Sequence, residues 1–339
     1  MTATTAGKTR RFGATLLAIA LGASACSSGA DGAELDEVTG AWLPIMQTTA
    51  FYVAIEEGIF EKHMIDMKPV KFENPNQIID ALVSGQADFG PPGAAAGIAM
   101  LAEAEFPGTF HVFGLQGGGI EVDLINDGLI VPVDSDIENF ADLEGKTLGT
   151  VPGIQWETIA KYIIRKNGLD PETDVEVTGL GVALHVPSLV AGTVDATLSL
   201  EPVGSIADAA EETKRAMVNP VAQHIADPFY SGAAVLTTEF IEERPDVARR
   251  VVLAIDEATA LVNGNFEKYK HLLPKYTAIE EAQLDFLAKP YLRGFRDLNE
   301  TDLDSYQAFV DVFFSEGVLK DQIDIREKIL DPALIGLDE

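Results

Sequence analysis

One cysteine, five histidines and two tryptophans bound the chemistry that this 339-residue chain can do. The histidines, His63, His111, His185, His224 and His271, lie far apart, and no pair has the i, i+4 or short-loop spacing of a metal site. A single thiol, Cys26, makes no internal disulfide and no cysteine metal cluster. Gly117, Gly118 and Gly119 lack the spacing of a nucleotide-cradling loop and read as hinge or loop. No metal site, no nucleotide cofactor and no thiol nucleophile is therefore expected. Side chains suited to non-covalent contact are better placed. At the ends of predicted strands, and in the connections after them, stand Trp42, Gln47, Gln116, Gln155, Trp156, Glu157, Glu201, Phe229 and Tyr230. Trp42 and Trp156 offer stacking surfaces for a planar ring, and Glu201 offers an acceptor to an amine or a protonated ring nitrogen. The competing role for each tryptophan is packing; for Glu201 it is a helix-start carboxylate before Pro202.

An oxyanion has a different route, onto backbone N–H groups at helix starts near Gly93 and Gln155. Two facts weigh against it. Past the first 25 residues the first arginine is Arg165, and no arginine falls at a predicted cleft loop. Acidic residues outnumber basic ones, 54 to 24, for a net charge of −30, a field that repels anions and disfavours nucleic acid. The same excess gives a solvated, self-repelling surface suited to a salty milieu and to a monomer. The residues therefore point to a nitrogenous ligand, one that presents a planar ring and an amine or a protonated ring nitrogen.

These residues need a scaffold, and its first segment is a leader. Lys8, Arg10 and Arg11 precede an apolar run from Phe12 to Ala25, too short for a membrane span, so residues 1–25 read as a signal peptide. Arg10-Arg11-Phe12 hints at twin-arginine export. Ala23-Ser24-Ala25-Cys26 resembles a lipoprotein cleavage box, with Ala23 where leucine is usual. That pattern implies a lipid on Cys26 and a tether over 26–35, holding the protein at the outer face of the cytoplasmic membrane or in the periplasm. No later stretch is long and uncharged enough to span a bilayer.

Downstream, short apolar runs alternate with segments of helical period, the pattern of α/β layers. Strands are expected at 39–43 and 67–72, with helices at 49–58, ended by Gly58, and at 76–85, where Asn74 and Asn76 are plausible helix-start residues. Ala87-Asp88-Phe89 reads as a strand running into a rigid turn, Gly90-Pro91-Pro92-Gly93, that faces a cleft. Strands follow at 110–116 and 129–133, and the acidic stretch from Asp134 to Asp142 is expected to carry the chain into a second lobe. There the pattern restarts, at 147–151, 155–167, 175–180, 184–192 and 195–200, and Asp227-Pro228 is expected to bring the chain back. Lobe I thus covers 36–133 and 229–339, lobe II covers 134–228, and helices at 245–263, 279–288 and 301–315 wrap lobe I. Two crossings imply a two-stranded hinge.

Gly40-Ala41-Trp42-Leu43-Pro44 with the Phe51–Phe60 segment, Ala81–Gly90, and Leu143–Lys146 with Gly153 resemble, in order, segments of the nitrate, sulfonate, taurine and thiamine-precursor family of importer-linked binding proteins. Leu189–Gly192 with Val194-Asp195-Ala196 echoes the Ala81–Gly90 element, as an internal duplication would. The resemblance implies a type II periplasmic-binding-protein fold whose two α/β lobes close on a small solute; of that family's ligands a thiamine-pyrimidine-like or other amine-bearing heterocycle suits these residues best, and taurine, bearing both charges, stands between that class and nitrate or a plain sulfonate. It also implies delivery to an ABC permease and its ATPase. Two other roles share the fold. One is a pyrimidine synthase or menaquinone-pathway enzyme, although the cysteine-rich motif of the former is missing here. The other is a ligand-presenting partner of a membrane sensor.

Overall fold

The computed structural model describes residues 34–337. The leader, Cys26 and nearly all of the tether lie outside the described residues. Strands run at β1 Asp36–Trp42, β2 Ile65–Lys71, β3 Phe89–Ala95, β4 Phe110–Gly118, β5 Asp127–Pro132 and β6 Lys146–Thr150. They continue at β7 Val175–Gly179, β8 Ala196–Leu200, β9 Thr213–Val218, β10 Phe229–Thr237 and β11 Tyr291–Arg293.

Local chemistry sets several boundaries. The helix Thr49–Glu56 stops where Gly58 takes a left-handed φ of 66°, a conformation that costs glycine no Cβ clash. The helix Pro75–Val83 starts on a capping box, with Asn74 accepting from Gln77 N and Gln77 returning an acceptor to Asn74 N. Gly90-Pro91-Pro92-Gly93, expected as a turn, is instead part of β3. Its pairing with β10 runs through Phe89 and Gly90, breaks, and resumes at Ala94. The two prolines have no N–H for a ladder, so the strand passes them on an irregularity rather than a turn.

The strands form two sheets, ordered β11-β4-β10-β3-β1-β2 and β7-β6-β8-β5-β9. Each contains the same motif, three parallel strands in the order second, first, third, then an antiparallel strand: β2-β1-β3-β10 and β7-β6-β8-β5. The antiparallel strand of each sheet is supplied by the chain as it arrives from the other. A matching clasp marks the duplication. Thr39 N donates to Asp88 Oδ2 at 2.7 Å and Thr147 N to Asp195 Oδ2 at 2.8 Å. Asp88 N and Asp195 N return bonds to the Thr39 and Thr147 carbonyls.

Because β5 pairs with β8 and β9, the strand expected at 129–133 in lobe I belongs to the second sheet. The chain crosses at 119–126, ahead of the acidic stretch where the crossing was expected. Apolar β5 gives no sign in its own residues of which sheet it will join. The return crossing lies between β9 and β10, and the two crossings are tied together. The Asp227 carboxylate accepts from Ile120 N and Glu121 N, and Asn219 Oδ1 accepts from Asn126 N at 2.8 Å. After β10 the long helix Pro245–Gly264 packs on Thr49–Glu56, and Glu300–Ser315 lies against β10. Glu281–Phe286 is a 3-10 turn rather than the α-helix expected at 279–288. No helix among the described residues is long and apolar enough to cross a membrane.

Candidate functional site

The connection after β1 passes through Pro44 into the turn Met46–Thr48, and the connection after β8 passes through Pro202 into the helix Val203–Ala209. Each follows the carboxyl end of a parallel strand, where α/β sheets bind ligands. The two face each other across a cleft of about 550 Å³, within the range of small-molecule sites. Pro44–Gln47 and Thr277–Glu280 with Gln283 line one side; Val182, Ala183, Val186, Pro187 and Leu200–Val203 with Ile206 line the other. Both lobes therefore build the wall. Gln47 bridges it, its Nε2 donating to the Glu201 carbonyl at 2.9 Å.

Glu201 does line the cleft, yet its carboxylate is not free. Oε1 lies 2.6 Å from the Arg215 guanidinium, and Oε2 accepts from Ser205 N at 3.2 Å and Ser205 Oγ at 2.6 Å. Arg215 also holds Asp208 at 2.8 Å. These carboxylates keep the arginine firmly protonated against its burial. No arginine is among the residues lining the cleft, in line with the expectation that none falls at a cleft loop. Arg215 stands behind Glu201 on β9, an edge strand whose residues gave no alternation pointing inward.

A second set of expected residues forms a polar seam between the lobes rather than part of the cleft lining. Gln155 Nε2 donates to the Ser231 carbonyl and its Oε1 accepts from Gly97 N, both at 2.9 Å. Gln116 Nε2 donates to Asn126 Oδ1 at 3.1 Å, and Ser231 Oγ to Gln116 Oε1 at 3.3 Å. Gly93 packs under Thr48, with a φ of 112° and no room for a Cβ. The helix start near Gly93, expected as an oxyanion seat, has the Gly97 amide already occupied by Gln155.

The aromatic and acidic remainder lies elsewhere. Trp42 is buried edge-on against Tyr52 and Tyr276, which stack with centroids 4.4 Å apart. Its Nε1 has no partner among the described residues. Trp156 is packed in the core, and Glu157 is exposed and pairs with Lys161 at 2.9 Å. Phe229 packs against Phe309, and the Tyr230 hydroxyl donates to Asp302. Helical period explains Trp156: its face of Ile154–Lys166 turns inward with Ile159, Ala160 and Ile163.

His185 is buried between Ser199 and Leu180. The Leu180 carbonyl only accepts, so Nε2 carries the proton and donates to it at 3.0 Å, while Nδ1 accepts from Ser199 Oγ at 2.7 Å. Burial holds its pKa below the usual imidazole value. The ring is committed to positioning β8. Among the described residues no cluster of His, Cys, Asp and Glu could hold a metal ion.

Residues 45–265 match the family model described as NMT1/THI5 like. The chain belongs to this family. It is 24% identical over 245 residues to a putative binding protein of Brucella abortus, covering 71% of this chain and 72% of that protein. It is 22% identical over 246 residues to a 4-amino-5-hydroxymethyl-2-methylpyrimidine phosphate synthase of Saccharomyces cerevisiae, covering 65% of each. In fold it is similar to the periplasmic aliphatic sulphonate binding protein SsuA of Escherichia coli. That match has a TM-score of 0.70 at 18% identity, over 88% of this chain and 92% of the other. The two-lobed fold expected from the duplication is thus that of periplasmic binding proteins. Among the expected residues, Gln47 and Glu201 meet in the cleft and Gln116 and Gln155 meet in the seam. The apolar lining at 182–187 and the loop 277–283 were missed. Pro187 after a strand was a usable signal for the first; the second lies outside the sheet pattern and had none.

Proposed function

We propose that this protein is the exported solute-binding component of an ABC importer, holding one small molecule between its lobes and presenting the closed form to a permease and its ATPase. The observation that carries this reading is the cleft itself, whose lining comes from both lobes and whose walls are joined by the Gln47 to Glu201 bond. A ligand seated there touches both lobes at once, so its binding energy favours the closed arrangement, and a permease can sense occupancy from shape alone. The hinge is two chain crossings. Residues 1–25 serve as the export signal and Cys26 as the lipid attachment point, with the protein acting as a monomer.

The test is small-angle scattering and thermal melting of the full-length chain against a panel of pyrimidines, small amines, taurine, sulfonates and nitrate. A cognate solute raises the melting temperature and compacts the particle; binding without compaction would sink the closure mechanism. Mass spectrometry of membrane-extracted protein checks for lipid on Cys26. A second reading, catalysis in the same cleft, is favoured by the likeness to the yeast synthase. Against it, the buried glutamate that lines the cleft, Glu201, has its carboxylate engaged in structural bonds by Arg215 and Ser205. Recovering the bound solute chemically unchanged after prolonged incubation separates the two.

A further inference from the structure

His185 is a buried ring that the cleft does not use for contact, yet it sits in the middle of the lobe II wall. Of residues 180–188 it alone is buried; Val182 and Val186 are half-buried, and Ala183, Leu184 and Pro187 are exposed. The wall segment is therefore anchored by this ring and, one turn on, by Leu189, which packs with Ile130, Val194 and Ala207. So few buried contacts place the segment among the parts of a fold that open easily. A buried aliphatic side chain would hold it at any pH. An imidazole does not.

The clamp depends on a neutral ring. Nε2 donates to the Leu180 carbonyl at the start of the segment, Nδ1 accepts from Ser199 Oγ on β8, and that hydroxyl is also 2.9 Å from Thr197 Oγ1. One side chain thus ties the wall to the strand that leads to Glu201. A second proton would sit on Nδ1. The Ser199 hydroxyl can turn to accept it and donate to Thr197 instead, so hydrogen bonding survives, but the charge has no counterion beside it. The charged groups on the elements packed around the helix His185–Val190 are Asp127 on β5, Lys214 and Arg215 on β9, Asp208 in Val203–Ala209, and Glu201 after β8. Arg215 holds Glu201 and Asp208, Lys214 donates to the Ser135 carbonyl, and Asp127 accepts from Val221 N and Asn126. None of these is bonded to the ring, whose two partners are Ser199 and Leu180. Burial pushes its pKa down, against the Leu180 carbonyl. A buried, uncompensated charge is costly, and the ring relieves it by swinging into solvent with the exposed segment that carries it.

We propose that His185 is the positioning residue of the lobe II cleft wall, and that its protonation in acid frees residues 180–187 and opens that side of the cleft. The clamp stands on its own geometry; only its meaning, acid-triggered release of a solute, rests on the solute-binding reading.

Hydrogen exchange read by mass spectrometry on the full-length chain, at pH 7.5 and pH 5.0 and converted to protection factors, tests the clamp without any ligand. Relative to β1, protection of residues 184–191 is expected to fall between about 3- and 30-fold at pH 5.0. The upper value holds if the clamped ring takes no proton and the freed ring titrates at the ordinary 6.5. His185→Gln, whose amide can donate to Leu180 and accept from Ser199 without titrating, is expected to keep the same protection at both pH values. A parent whose protection does not change with pH, or a variant that loses protection as the parent does, overturns the proposal. If the variant fails to fold, NMR of the parent with isotope-labelled histidine decides. The His185 ring must take up its proton over the interval in which residues 184–191 lose protection; a ring that stays neutral while they do assigns the change to another group, and the proposal falls. None of these outcomes bears on the solute panel, so the clamp and the binding reading fail separately.

Discussion

Glu201 and Arg215 face each other at 2.6 Å with side chains only 1% and 4% exposed, directly beneath the cleft floor. A buried ion pair adds little net stability over apolar packing, but losing one partner strands the other charge. Arg215→Leu is therefore expected to cost roughly 3 to 5 kcal/mol in urea denaturation. Glu201→Gln, which keeps groups able to meet Ser205 and leaves Arg215 its Asp208 partner, is expected to cost less than half of that. Equal losses in the two variants would mean that the pair is not electrostatically coupled.

This pair also marks where sequence reasoning stopped. The α/β class, the duplication and the return crossing near Asp227 were legible because period, glycine positions and the Asp88 and Asp195 echoes are local. The identity of Glu201 as a cleft residue was legible for the same reason, since it ends β8 just before Pro202. Its partner was not. Arg215 is fourteen positions along the chain on another strand, and only the order β8-β5-β9 brings the two near each other. The same limit misassigned β5, whose apolar residues suit either sheet, and it made an aromatic, acidic cleft out of residues that pack inward. Trp42 and Trp156 satisfy burial; the wall of the cleft is aliphatic.

Gln155 joins the lobes without lining the cleft. Its amide makes one bond to Gly97 N and one to the Ser231 carbonyl, both buried. Gln155→Ala removes both and leaves two backbone groups unpaired in the closed form, a cost of about 1 to 3 kcal/mol borne by that form alone. Opening the lobes rehydrates them. Ligand affinity is expected to fall about 5- to 100-fold with a larger radius of gyration in the unliganded protein, measured by calorimetry and scattering. Unchanged affinity with reduced melting temperature would make the residue purely structural.

Gly117 lies where β4, β10 and the first crossing converge. A Cβ placed there would stand 1.7 Å from the Phe229 carbonyl oxygen and 2.9 Å from the Tyr230 Cα. Both are backbone atoms of the adjacent strand, so no rotamer change relieves the clash. Gly117→Ala is expected to destabilise by about 3 kcal/mol or more, or to abolish folding. Gly264→Ala, at the last residue of the helix Pro245–Gly264 with nothing within 4 Å of the new Cβ, is expected to stabilise by about 0.4 to 1 kcal/mol by restricting the unfolded chain. Thermal melts of the two variants should therefore shift in opposite directions.

Asp127 opens β5 just past the first crossing and is fully buried. Its Oδ1 accepts from Val221 N at 3.0 Å and its Oδ2 from Asn126 Nδ2 at 2.9 Å. Burial pushes its pKa up from 3.8 to about 6, with the nearby Glu201 carboxylate acting in the same direction and Arg215 opposing it. Because the folded value is raised, the folded state holds this proton more tightly than the unfolded chain does. The group's contribution is most favourable below pH 4 and is lost as the pH rises through 6. At neutral pH it costs on the order of 3 kcal/mol. Asp127→Asn carries no such titration, although its amide must turn its oxygen to Val221 N and crowd Asn126. The difference in unfolding free energy, parent minus variant, is expected to decrease between pH 4.5 and pH 7.5, whatever its absolute size at either end. A difference that stays flat or increases over that interval, measured by urea denaturation, would show that Asp127 ionises at an ordinary carboxylate pH.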